Sequence, residues 1–102
     1  MKKHVVLLMV TLLTVTPASL LAGDAAAGKA RAAVCAACHG PDGKSMNPLW
    51  PHLAGQQDAY LAKQIKDFRD GRRQDPTMAP MVAALSDSDI ENLAAFYASQ
   101  KP

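Results

Sequence analysis

Two cysteines and a histidine stand together in this chain, as Cys35-Ala36-Ala37-Cys38-His39. The chain has no other cysteine. Three positions apart on a helix, two side chains share one face. Two thiols so placed can add to the two vinyl groups of one porphyrin, and a histidine directly after the second can face the iron. This is the attachment chemistry of a covalent haem c, with thioethers from Cys35 and Cys38 and a proximal iron ligand from His39. A thioredoxin-like redox pair would want a βαβ context, which the sequence lacks. A structural zinc would need four ligands, and beyond the first residues only His39 and His52 remain to join the two cysteines.

A haem iron takes a second axial ligand from His, Met or an open position. His52 lies thirteen residues after His39, between Pro51 and a further loop, and reads as a solvated side chain. Met46 is too close to the proximal side to pass round the ring. Met78 and Met81 lie in a Pro-flanked stretch, Pro76 to Met81, that is long enough to cross the opposite haem face. A thioether there favours the ferrous state and raises the potential. Spacing alone leaves both Met78 and Met81 open.

The elements that must position these groups read as helices. The first expected helix covers 24–35, rich in Ala and capped by Asp24. Gly28 interrupts its propensity, which suggests another helix crossing closely. A loop follows over 40–55, with Pro41, Gly43, Pro48, Pro51 and Gly55. A second helix is expected over 57–70, with Leu61, Ile65 and Phe68 on one face and Gly71 as its stop. Gln56 and Gln57 read as its cap. A second loop is expected over 71–85. A third helix starts after Ser86, where Ser86 and Asp89 resemble a capping box and Leu85 and Ile90 a staple. Ile90, Leu93, Ala94 and Tyr97 line its apolar face. Pro48, Trp50, Leu53, Tyr60, Ile65 and Leu85 are apolar enough to wall a haem pocket. Arg69, Arg72 and Arg73 read as a solvated basic face. The fold class is therefore all-α, with three main helices wrapped around one haem.

The first 22 residues read as a secretory signal peptide rather than as part of the domain. Met1-Lys2-Lys3-His4 is basic, Val5 to Val15 is mostly apolar, and small residues lead to a cut expected after Ala22. The apolar run is short for a bilayer span, which needs about 20 residues. The domain then covers 23–102, and the protein is expected to be exported to the periplasm. Removing Lys2 and Lys3 takes the 11 Lys+Arg of the full chain to 9, against 9 Asp+Glu. With no basic stripe left, nucleic-acid binding is not expected. A domain of this size usually needs a staple or metal beside its core, and a covalent haem supplies a large apolar body.

Over its whole length after the signal, the chain resembles the class I c-type cytochromes, in particular short bacterial monohaem proteins similar to one half of the dihaem periplasmic cytochromes. The residues that carry the resemblance are Gly23-Asp24, Val34 to Gly40, Asp42-Gly43, Pro51 to Gln56, Tyr60-Leu61, Lys63-Gln64, Phe68 to Gly71, Met78-Ala79-Pro80-Met81, Leu85-Ser86-Asp87 and Ile90 to Tyr97. It implies a class I cytochrome c fold, and Met78 rather than Met81 as the distal ligand. It also implies a close crossing at Gly28 against Tyr97 or Phe96. His52 departs from the lysine common at its position, and Trp50 from a frequent phenylalanine.

With both axial positions filled, the iron has no place for a substrate. The expected function is one-electron transport between respiratory-chain partners, with no catalytic residues. The rival is a haem-bearing subunit of a larger dehydrogenase or oxidase complex. Redox proteins are the expected partners, no membrane insertion is expected after signal cleavage, and the domain is expected to be a monomer or weak dimer.

Overall fold

The structure, a computed structural model, describes residues 1–13 and 23–102. Residues 1–13 have no regular secondary structure and are exposed. The cut expected after Ala22 lies outside the described residues. From Gly23 onward the described chain is helical, with no strand.

The first helical stretch is two helices, α1 (Ala25–Arg31) and α2 (Ala33–His39). Asp24 caps α1 as expected, its carboxylate accepting from the N–H groups of Ala26 and Ala27 at 2.9 and 3.2 Å. The break falls at Ala32, whose N–H turns back to the Lys29 carbonyl at 3.2 Å. Every residue around it favours helix, so the break has no local cause. Ala32 is buried in the core at the junction of α1 and α2.

Helix α3 is Asp58–Arg69, close to its expected bounds, and Gly71 follows with φ 80°. Gln57 stands at the N-cap but its side chain makes no capping bond. The Gln56 side chain instead accepts the Gln57 N–H at 3.0 Å.

The stretch expected to be a plain loop over 71–85 contains a short helix, α4 (Met78–Val82). Pro80 is compatible with it because first-turn N–H groups have no partner inside a helix. Asp75 starts it: its carboxylate accepts from Thr77 and Met78 at 2.8 and 3.0 Å.

Helix α5 (Asp87–Ala98) carries the capping box, Ser86 and Asp89 each accepting the other's N–H. Ile90, Leu93, Ala94 and Tyr97 are all buried, as the apolar periodicity implies. α5 packs on α1 and on α3, and α4 packs on α3. Burial of a side chain of this size stabilises by about 1.5–3 kcal/mol, so α5 is the chief organiser of the core.

The α1–α5 crossing depends on Gly28. A Cβ there would run into the Asn92 carbonyl and sit 2.9 Å from Phe96 Cβ. The nearest neighbours are Asn92 and Phe96, the second of them one of the two aromatic residues expected there. The N–H of Asp24 reaches the Asn92 side chain at 2.8 Å and ties the same two helices.

The Arg69–Arg73 cluster is not a free basic face. Arg69 bonds Asp70 and Asp87, at 2.8 and 2.7 Å, and the Leu85 carbonyl. Arg72 pairs with Asp67 at 2.8 Å, and Arg73 lies over the Phe68 ring, 4.4 Å from its centre. These pairs pin the α3 terminus to the start of α5 and leave little net positive charge there.

Candidate haem site

Cys35, Cys38 and His39 all lie on α2, one turn of helix carrying both thiols and the imidazole. Both cysteines are free and partly buried. Burial pushes the Cys35 thiol above its ordinary pKa. The helix ends directly after His39 because Gly40 takes φ 83°, ψ 158°, a conformation closed to residues with a side chain.

His39 is buried, at 7 % exposure, an uncommon place for a histidine without a partner. Its Nδ1 lies 2.8 Å from the Pro51 carbonyl oxygen. A carbonyl only accepts, so Nδ1 carries a proton, and in the neutral ring Nε2 is the nitrogen with the lone pair. This is the arrangement of a metal-binding imidazole, whose outer hydrogen bond sets tautomer and ring orientation.

The Pro51 carbonyl is presented by the 40–56 loop, and that loop is held at several points. The Gly43 carbonyl accepts from Leu53 and Ala54 at 2.7 and 3.1 Å. The Ser45 N–H donates to His52 Nδ1 at 2.9 Å. The Gly55 N–H donates to the Tyr97 carbonyl at 3.0 Å and fastens the loop to α5.

Met78 is the first residue of α4 and is partly buried, whereas Met81 is 51 % exposed. Asp75 positions Met78 through the bond to its N–H. Asp75 carries a local signal for this role, since an Asp-Pro pair starts turns. Met46 and His52 are exposed. Of the expected pocket wall, Leu53, Ile65 and Leu85 pack beside Cys35 against the core. Pro48, Trp50 and Tyr60 are exposed.

Tyr97 adds a group that periodicity alone assigned only to the core. Its ring is buried, and its hydroxyl is enclosed without a hydrogen-bond partner of good geometry. Cys35 is its polar neighbour, and burial raises the phenol's pKa. An unpaired buried hydroxyl beside the thioether position, two thiols on one helix face and a histidine with a free Nε2 together fit a covalent haem. Among the described residues no three His, Cys, Asp or Glu side chains converge as a bare metal site.

Helix order, the α2 thiol pair and the buried imidazole define a class I cytochrome c fold. The cytochrome c family model matches residues 25–101, and the chain belongs to that family. Its cofactor is accordingly one covalent haem c. The chain is 50 % identical over 101 residues to cytochrome c4 of Pseudomonas aeruginosa, covering 99 % of this chain and 50 % of that protein. It is 48 % identical over 83 residues to cytochrome c-554(548) of Halomonas halodenitrificans, covering 78 % of this chain and all of that protein. A thiosulfate dehydrogenase electron acceptor of Stutzerimonas stutzeri is 46 % identical over 65 residues, 63 % of this chain and 30 % of that one. The crystal structure of reduced cytochrome c4 from Pseudomonas stutzeri superposes with a TM-score of 0.75 at 46 % identity, over 78 % of this chain and 47 % of that one. The chain thus spans about half the length of the cytochrome c4 proteins it matches.

Proposed function

We propose that this chain is a periplasmic one-electron carrier. Cys35 and Cys38 hold the haem covalently, His39 ligates the iron through Nε2, and Met78 is the distal ligand. The haem supplies ferrous–ferric exchange; the chain sets its potential and keeps water away. The observation that carries this reading is the His39–Pro51 bond. It leaves Nε2 as the free nitrogen of a buried imidazole on the helix that bears both thiols.

Each element has a role in that function. α2 places thiols and imidazole together. The 40–56 loop orients the imidazole. Asp75 and α4 place Met78, and Leu53, Ile65 and Leu85 supply apolar surroundings that favour the less charged ferrous state. Residues 1–22 act as the export signal and 23–102 as the haem domain. No helix among the described residues is long and apolar enough to cross a membrane.

A potentiometric titration of the holoprotein followed by absorbance tests the carrier role. One reversible transition fitting a single electron is expected. Irreversible or multi-electron behaviour would contradict it. The relative named for its role as an electron acceptor of a dehydrogenase favours a second reading, in which the domain serves a particular enzyme complex. Stable co-purification with a larger redox protein distinguishes that case from a free carrier.

A further inference from the structure

We infer that His52 is a positioning residue for the proximal ligand, bracing the loop that holds the Pro51 carbonyl against His39. The inference rests on His39 being the iron ligand.

His52 directly follows Pro51. Its Nδ1 lies 2.9 Å from the Ser45 backbone nitrogen and accepts that N–H, so the imidazole is neutral with its proton on Nε2. Ser45 and His52 sit on opposite arms of the same loop. The Gly43 carbonyl joins those arms at their base, through Leu53 and Ala54. The His52 bond joins them one step further out, at the residue next to Pro51. Beyond it the tip is organised separately: the Ser45 hydroxyl donates to the Asn47 carbonyl at 2.9 Å, and Trp50 N–H bonds the same carbonyl at 3.0 Å. Without His52 the Ser45 N–H has no protein acceptor, and the arm bearing Pro51 keeps the Gly43 bonds at its base and the Trp50 bond at the tip but nothing between them.

The consequence falls on the iron ligand. A hydrogen bond from Nδ1–H to a fixed acceptor raises the basicity of the ligating imidazole and favours ferric iron. A looser Pro51 carbonyl weakens that bond, so the potential should rise. A side chain that is merely on the surface would leave the potential alone.

The test compares the wild-type holoprotein with His52→Asn and His52→Ala. Asn places Oδ1 where Nδ1 stands, two bonds from Cβ, and can accept the same N–H. Two quantities are read: the potential, and the exchange rate of the His39 Nδ1 proton by NMR of the reduced protein. His52→Ala should raise the potential and speed the exchange several-fold, while His52→Asn should stay at the wild-type values. If His52→Ala matches wild type in both, His52 positions nothing. If His52→Asn behaves like His52→Ala, an acceptor at this place is not what matters. In the oxidised wild type, the His39 ring signals should show the large shifts of an iron ligand. Their absence would overturn the ligand reading itself, whereas their presence with an inert His52→Ala would overturn only the bracing role.

Discussion

His39 Nδ1 and the Pro51 carbonyl oxygen are 2.8 Å apart, and the pair couples a buried helix end to an otherwise exposed loop. Because the carbonyl can only accept, it decides which ring nitrogen is free. The tautomer of the imidazole is thereby set by a backbone carbonyl twelve residues away.

Met78→Ala should leave the iron with an open distal position. The reduced variant should bind carbon monoxide, and its potential should fall because the soft thioether that favours ferrous iron is gone. Met81→Ala should leave both properties unchanged, in keeping with its exposure. An inert Met78→Ala beside an altered Met81→Ala would reverse the assignment.

Replacing both thiols, as Cys35→Ser with Cys38→Ser, should make the haem extractable into acidified organic solvent. The wild type should keep its haem on the chain after denaturing electrophoresis. Haem retained by the double variant would mean that attachment does not run through these sulfurs.

Gly28→Ala sets two effects against each other. Helix propensity favours Ala by about 1 kcal/mol, but the new methyl meets the Asn92 backbone, which cannot swing aside. Overpacking of this kind costs about 1–3 kcal/mol, so a net loss is expected. Urea unfolding of the holoprotein should show a lower midpoint with an unchanged slope.

Asp89 predicts part of the acid sensitivity. The Arg31 guanidinium, and then the Ser86 N–H, hold its carboxyl down at about 2, below the usual 3.8. The folded state therefore binds this proton less readily than the unfolded state. Its contribution is complete above about pH 4 and is lost as pH falls through the folded value. Asp89→Asn should flatten the stability profile between those limits, measured by thermal melts across pH.

Much of this architecture was legible locally. α3 and α5 announce themselves through an apolar stripe, a glycine stop at Gly71 and the Ser86–Asp89 box. The haem motif is contiguous, so Cys35, Cys38 and His39 needed no folding argument. The break at Ala32 was hidden because nothing in an Ala-rich run opposes helix; burial of Ala32 in the core accompanies it. α4 was hidden by its own proline, whose place in the first turn removes the objection to it. The ion pairs of the arginine cluster were hidden because Asp87 reaches Arg69 only in the fold, and Asp67, on α3 itself, meets Arg72 only once the chain turns back after Gly71. The bracing loop bonds, Ser45 to His52 and Gly43 to Leu53, likewise join residues whose pairing no periodicity marks.

The most direct test of the account is a carbon monoxide titration of the reduced wild-type holoprotein, followed by absorbance. If His39 and Met78 both ligate the iron, as proposed, the spectrum should not change. Ready formation of a carbon monoxide complex would mean an open or labile iron, and would contradict the carrier assignment in favour of a ligand-binding role.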